Sequence, residues 1–261
     1  MSNPVWDAYI GLGASTGLVF SRLGGFVTTS PWPGNRVGAT ARLSLVFGLS
    51  AIAVPLVPAA FGTRSLDLAL VPIAIAEVVI GLMQGFVLRV LAASADALGE
   101  LLGQATGLSG AQLFDPMAEG HETAISRVVT ILSAWMLLAS GAHRVALSIL
   151  LESFRALPVG TSVAPGSATL ALVDLTARTL SVGVQMALPC VAVSLAVQVC
   201  LAMIARAAPS LQIFNVGFSM LIAGGMLVLI DVLPDMARSM ATHYATLGEA
   251  TRRVLEAATA R

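Results

Sequence analysis

The stretch TLSVGVQMALPCVAVSLAVQVCLAMIA, residues 179–205, decides the fold class of this chain. It holds 27 residues without a formal charge, between Arg178 and Arg206. About 20 apolar residues in a helix cross the hydrocarbon core of a bilayer, so the stretch is long enough to do so. It shows no regular alternation of apolar and polar residues, and it therefore predicts a membrane helix and not a strand of a barrel.

The composition of the whole chain agrees with that assignment. Of its 261 residues, 57% are hydrophobic and only 11% are charged, against roughly a quarter charged in soluble domains. Six hydrophobic segments can be recognised, at roughly 8–29, 43–62, 66–92, 128–151, 179–205 and 210–233. We therefore predict an all-α integral membrane protein with about six hydrophobic segments.

The end of the chain has a different pattern. After Pro234, apolar residues recur at helical spacing with Glu and Arg between them, as in Met236, Met240, Tyr244 and Leu247. This pattern predicts an amphipathic helix outside the membrane. We divide the chain into a membrane region, 1–233, and a C-terminal amphipathic helix, 234–261. The distribution of Arg favours a cytoplasmic C-terminus. The helix either lies on the rest of the protein or the membrane surface, or docks to a partner.

A polar interruption, GELLGQATGLSGAQLFDP, occupies residues 99–116 between hydrophobic runs. Gly99 and Gly103 are four residues apart, which lets another helix approach one face closely. Gly81 and Gly85 repeat that spacing. The neighbour is either a helix of the same bundle or one of another subunit.

The second half of the interruption favours leaving the helix. Gly110 relaxes the backbone, and Pro116 disfavours helical geometry at Asp115. Irregular backbone at membrane depth must be covered by protein or line a cavity. The segment is therefore a loop inside a protein-lined passage or an ordinary connector outside the membrane.

Arg22 and Glu77 are ionisable residues inside hydrophobic segments. On insertion scales such a residue costs about 2.5–3.5 kcal/mol at the centre of a membrane helix. The two residues either pair with each other, mark an ion path, or reach the interface from the ends of their segments. An ion path would make the chain a secondary transporter or a channel.

Evidence for enzymatic chemistry is weak. The string Gly107-Leu108-Ser109-Gly110 partly fits a nucleophile elbow and resembles that of rhomboid-type intramembrane proteases, with His121 or His143 as the base. Small residues abound in this chain, so a four-residue match has little specificity. The sequence contains no phosphate-binding loop, dinucleotide fingerprint or metal-ligand spacing. We expect no catalytic residues, cofactor, metal site or nucleic-acid partner.

The string at 99–116 resembles the central signature of the FliR/SctT family, export-gate proteins of flagellar and virulence-type type III secretion. Other landmarks are similar to the family's in order and spacing. They are AEVVIGLMQGF at 76–86, SGAHR at 140–144, RALPVG at 155–160 and ARAAPSLQIFNVGFSM at 205–220. The resemblance covers nearly the whole chain.

The resemblance implies a non-enzymatic, helical-hairpin component of an export gate in the bacterial inner membrane, at the base of the secretion apparatus. Its expected partners are FliP/SctR-like and FliQ/SctS-like subunits, FlhB/SctU-like and FlhA/SctV-like export proteins, membrane lipid, and the unfolded proteins that pass through. The family's hairpins stand partly outside the membrane, so six segments need not be six crossings. Arg22, Glu77 and Arg206 would then form buried ion pairs within the chain or between subunits.

The resemblance also assigns a role to the polar interruption, within the segment 99–122. In the family, the loop corresponding to 107–116 is a plug in the closed pore. The implied plug residues are Gly107, Leu108, Ser109, Gly110, Leu113, Phe114, Asp115 and Pro116. Their glycines would permit displacement, while Leu113 and Phe114 would exclude water and ions. A flagellar and an injectisome gate remain equally compatible with these motifs. A stand-alone secondary transporter or channel is the alternative function.

Overall fold

The computed structural model describes residues 4–31, 37–56, 70–106, 123–161, 165–207 and 213–259. Within these ranges the chain forms helices and no strand. The helices are α1 (Pro4–Thr29), α2 (Ala39–Ala53), α3 (Leu70–Ala105), α4 (Ala124–Ala139), α5 (Ala142–Ala156), α6 (Pro165–Ala207), α7 (Ile213–Ala245) and α8 (Leu247–Thr259). A short 3-10 turn, Val54–Leu56, follows α2. The prediction of an all-α protein is confirmed.

Three described helical stretches are long and apolar enough to cross a membrane: Leu70–Ala105, Gly166–Arg206, and Ser219–Thr259, which runs from α7 into α8. A fourth span is present if α4 and α5, interrupted at Ser140 and Gly141, are counted as one. Helix α2 has 15 residues, or about 22 Å of length, which is less than the ~30 Å hydrocarbon core. The protein is thus an integral membrane protein, and within the described residues its six hydrophobic segments do not give six helices long enough to span the membrane.

The C-terminal segment 234–261 contains parts of two helices. Helix α7 continues through Pro234 and ends at Ala245, and α8 begins at Leu247. Proline removes one backbone donor from a helix interior, yet the described helix does not end there.

The chain divides into two compact units. The first comprises the residues up to Val90, then 141–175 and 246–261. In it α1 packs on α2, and α5 packs on α8. The amphipathic face of α8 is buried in this unit through Leu247, Thr251, Val254, Leu255 and Ala258. Its charged residues, such as Arg252 and Arg253, stay exposed.

The second unit comprises residues 91–140 and 176–245. Helix α4 packs on α7, and a hydrophobic core is shared by residues of α3, α4, α6 and α7. Its buried members are Ala95, Leu98, Leu102, Ile125, Val129, Met186, Ala187, Cys190, Met236 and Met240. The buried hydroxyl groups of Ser133 and Tyr244 are hydrogen-bonded to each other between α4 and α7.

Candidate functional site

Glycines of α3 bring its backbone into direct contact with α1. A Cβ atom on Gly81 would overlap the carbonyl oxygen of Arg22, and one on Gly85 would overlap the hydroxyl of Thr29. From the other side, a Cβ on Gly25 would lie 2.5 Å from the carbonyl oxygen of Val78. Side chains at these positions would force the two helices apart, so the contact depends on glycine.

The second pair of α3 glycines makes an equivalent contact with α4. A Cβ on Gly99 would lie 2.9 Å from Cα of Ser126, and one on Gly103 would overlap the side chain of Thr123. Thr123 also caps α4, because its hydroxyl accepts a 3.1 Å hydrogen bond from the backbone N–H of Ser126. The end of α3 and the beginning of α4 therefore touch within the second unit.

A buried charge cluster lies in the first unit, between α1, α3 and α5. Nε of Arg22 donates to Oε2 of Glu77 at 2.6 Å, and both side chains are fully buried. The other Arg22 nitrogens donate to Oγ of Ser153 at 3.2 Å and to the carbonyl oxygen of Leu157 at 3.0 Å. The centroid of the Phe154 ring lies 4.3 Å from the guanidinium carbon of Arg22, within the range of a cation–π interaction.

Both oxygens of Glu77 are occupied. Oε1 accepts a 3.0 Å hydrogen bond from the backbone N–H of Gly160, while Oε2 accepts from Arg22. Gly160 has φ of 92°, a left-handed conformation that glycine adopts without steric cost. The end of α5 and the turn after it thus contribute a carbonyl group to Arg22 and an N–H group to Glu77. These hydrogen bonds offset part of the desolvation cost of burying both charges.

Sequence reasoning identified Arg22 and Glu77 but not the residues that complete their cluster. Ser153, Leu157 and Gly160 carry no charge, so neither hydropathy nor charge patterning distinguishes them. The motif RALPVG at 155–160 was the available signal, although it indicated no partner. Arg206, the third candidate for an ion pair, lies in the second unit and is exposed at the end of α6.

The candidate plug, 107–116, lies outside the described residues, and so do Ser109 and His121. His143 lies on α5 in the first unit. In the described part of the chain, no three His, Cys, Asp or Glu residues are grouped as they would be to hold a metal ion.

Comparison with known proteins gives a consistent result. Residues 14–247 match the family described as "Bacterial export proteins, family 1". The flagellar biosynthetic protein FliR of Caulobacter vibrioides is 32% identical over 232 residues, which are 88% of this chain and 92% of that protein. FliR of Escherichia coli strain K12 is 28% identical over 63% of each chain, and FliR of Pectobacterium carotovorum is 29% identical over 82% of each.

Proposed function

The chain belongs to the bacterial export proteins of family 1, the family of FliR, and from this premise we propose that it is a non-enzymatic component of a flagellar protein export gate. The observation that carries the proposal is the alignment with a flagellar FliR protein over 92% of the relative's length. The relatives named above are all flagellar. They favour the flagellar branch over the injectisome, two alternatives that the sequence motifs alone left open.

We place the protein in the bacterial inner membrane, at the base of the secretion apparatus. Three or four helices in the described part of the chain are long and apolar enough to span a membrane, which supports this location. The proposed partners are FliP-like and FliQ-like subunits, with FlhB-like and FlhA-like proteins as further components. Large apolar side chains remain exposed on the described helices, including Trp135 on α4 and Leu227 on α7. Such surface is suited to contact with lipid or with other hydrophobic subunits.

Within this gate, residues 107–116 are proposed to form the plug that closes the pore to ions between transport events. The helices before and after the segment support this assignment, since α3 and α4 touch at Gly103 and Thr123. A loop that joins two helices in contact can change position while the two helices stay packed against each other. The unfolded export substrate would displace it, and Leu113 and Phe114 would restore the apolar seal afterwards.

The charge cluster argues against a stand-alone ion-coupled transporter. Ionisable residues on an ion path face a water-filled cavity or the bundle interior where ions pass. Glu77 is instead fully buried, and its two oxygens accept hydrogen bonds from Arg22 and Gly160. The pair is better suited to holding helices together than to exchanging a cation or a proton.

The proposal is tested by co-expressing the protein with the hydrophobic proteins encoded beside it and purifying the assembly in mild detergent. Mass spectrometry should find two other small hydrophobic subunits in stable association with it. An unrelated helical membrane protein with the same tag is the control for non-specific association. A monodisperse protein purified alone from such cells would contradict the gate assignment.

A further inference from the structure

Asp231 is a carboxylate on an apolar part of the surface of α7, in the second unit. Its side chain is exposed. The residue before it, Ile230, is 66% exposed, and Leu227 is 70% exposed. Leu227 lies beside both of these residues, because positions three and four apart are neighbours on a helix. The carboxylate is therefore bordered by two large apolar side chains that are themselves uncovered.

Asp231 has no ion pair or hydrogen bond with any other residue in the described part of the chain. The next acid of the same helix differs in this respect. Asp235, one turn further along α7, accepts a 2.9 Å hydrogen bond from Arg238. Two exposed acids of one helix thus have different surroundings, and only the second has a cation of its own.

Helix α6 lies beside α7 and supplies no cation at this position. A Cβ on Gly217 of α7 would lie 3.3 Å from the side chain of Leu201. A Cβ on Gly224 would lie 3.8 Å from the side chain of Val197. The contact on α6 moves towards its N-terminus as α7 advances, so the two helices are antiparallel. Seven residues further along α7, the carboxylate lies beside the stretch 179–205 of α6, which contains no charged residue.

The chemistry of this surface limits what can cover it. Lipid would cover Leu227 and Ile230 but strongly disfavours an unpaired carboxylate. Water would hydrate Asp231 but would leave both apolar side chains exposed to solvent. An apolar helix of another protein that carries a Lys or Arg residue satisfies both requirements, since it covers the apolar side chains and neutralises the charge.

We propose that Asp231, Leu227 and Ile230 form a docking surface for an apolar helix of another export-gate subunit, and that a Lys or Arg residue of that helix pairs with Asp231. This inference rests on the proposed function, because it specifies the chemistry of one contact through which the gate assembles. The apolar side chains around the pair exclude water and so strengthen the attraction between the charges. The charge determines which helix binds and in which register.

The test measures the yield of complex when the protein is co-expressed with the hydrophobic proteins encoded beside it. Asp231→Asn keeps the size of the side chain and removes the charge, which leaves the partner's cation unpaired. We expect roughly tenfold less complex with this variant, and less again with Asp231→Arg, which places like charges together. Asp235→Asn is the matched control and should leave the yield unchanged, because exposed pairs such as that of Asp235 with Arg238 contribute little.

Two further measurements separate docking from a general loss of structure. The unfolding temperature of the purified chain alone should be the same for Asp231→Arg and the unmodified protein, because Asp231 is exposed and has no partner among the described residues. A lower unfolding temperature that accounts for the lost complex would overturn the proposal. In the Asp231→Arg background, each Lys and Arg in the hydrophobic segments of the other subunits is then replaced by Asp. One such exchange should restore the complex, and restoration by none would refute the ion pair.

The outcomes distinguish this contact from the proposed function. Equal yields for Asp231→Arg and the unmodified protein would show that lipid or water covers the surface, which would overturn the docking site and leave the gate assignment standing. Restoration by a charge exchange in a second copy of this chain, and by no other, would identify a homotypic contact and overturn the heterotypic one. Absence of any complex with the unmodified protein would refute both proposals.

Discussion

Arg22 and Glu77, 55 residues apart in sequence, form an ion pair with an Nε–Oε2 distance of 2.6 Å and no exposure of either side chain. Each charge has further partners in the segment that ends α5 and in the turn after it, namely Ser153 and Leu157 for the cation and Gly160 for the carboxylate. The cluster therefore joins three parts of the first unit that are distant along the chain.

Replacing Glu77 by Gln should destabilise the first unit strongly. The substitution leaves the guanidinium of Arg22 buried without its counter-charge, which typically costs about 3–5 kcal/mol. Glu249→Gln is the matched control, because its partner Arg253 and Glu249 itself are both largely exposed and such pairs contribute about 0–1 kcal/mol. The loss is measured as a lower unfolding temperature in detergent. Equal unfolding temperatures for the two variants would contradict the structural role of the cluster.

Replacing Gly81 by Ala should separate α1 from α3. The new methyl group would overlap the backbone carbonyl of Arg22, an overpacking that costs about 1–3 kcal/mol. Gly17→Ala on α1 is the control, since a Cβ there meets nothing within 4 Å. We expect Gly17→Ala to be neutral or slightly stabilising. The unfolding temperatures of the two purified variants check the difference. An unfolding temperature of Gly81→Ala equal to that of the unmodified protein would show that the contact of α1 and α3 can accommodate a methyl group.

Replacing Phe114 by Ala should make the closed gate leak ions if residues 107–116 form the plug. The substitution removes apolar bulk from a constriction that excludes water. Conductance of membranes containing the assembled complex is the measurement. Phe47→Ala removes an aromatic side chain that is 63% exposed on α2 and serves as the control. Conductance unchanged by Phe114→Ala would count against the apolar seal.

Replacing Ser109 by Ala should leave protein export intact. In the export-gate proposal the hydroxyl of Ser109 carries out no chemistry, whereas a serine protease would lose its nucleophile. Export of flagellar substrates is compared with that of the unmodified protein at equal amounts of assembled complex. Complete loss of function with normal assembly would instead favour the intramembrane protease.

Replacing Tyr244 by Phe should destabilise the second unit modestly. The variant leaves the buried hydroxyl of Ser133 without the partner that it has across the contact of α4 and α7. Such a loss typically costs about 1–3 kcal/mol. Removing both hydroxyl groups, with Ser133→Ala and Tyr244→Phe together, should cost less than the sum of the single changes. Additive unfolding free energies would show that the hydrogen bond contributes little.

The all-α, membrane-embedded character of the protein could be predicted from residues 179–205 and the other hydrophobic segments. A bilayer provides no partners for backbone N–H and C=O groups, so a long apolar segment must satisfy them within a helix. The number of spanning helices could not be predicted in the same way. Apolar residues also form contacts between helices, as Leu98, Ile125 and Met240 do in the core of the second unit. Composition alone does not distinguish such residues from those that face lipid.

The sequence by itself determined that the chain is helical and that it enters a membrane. It also determined that Gly81 and Gly85 lie about one helical turn apart, as do Gly99 and Gly103. These properties follow from local periodicity and from the cost of exposing polar backbone to lipid. Only the tertiary structure decided what those residues meet. Gly81 meets the backbone of α1, and Gly103 meets Thr123 at the start of α4. The partners of Glu77 come from α1 and from the turn after α5. Such pairings depend on the rotation and register of helices far apart in the chain, which the packing of the whole unit sets and no local pattern encodes.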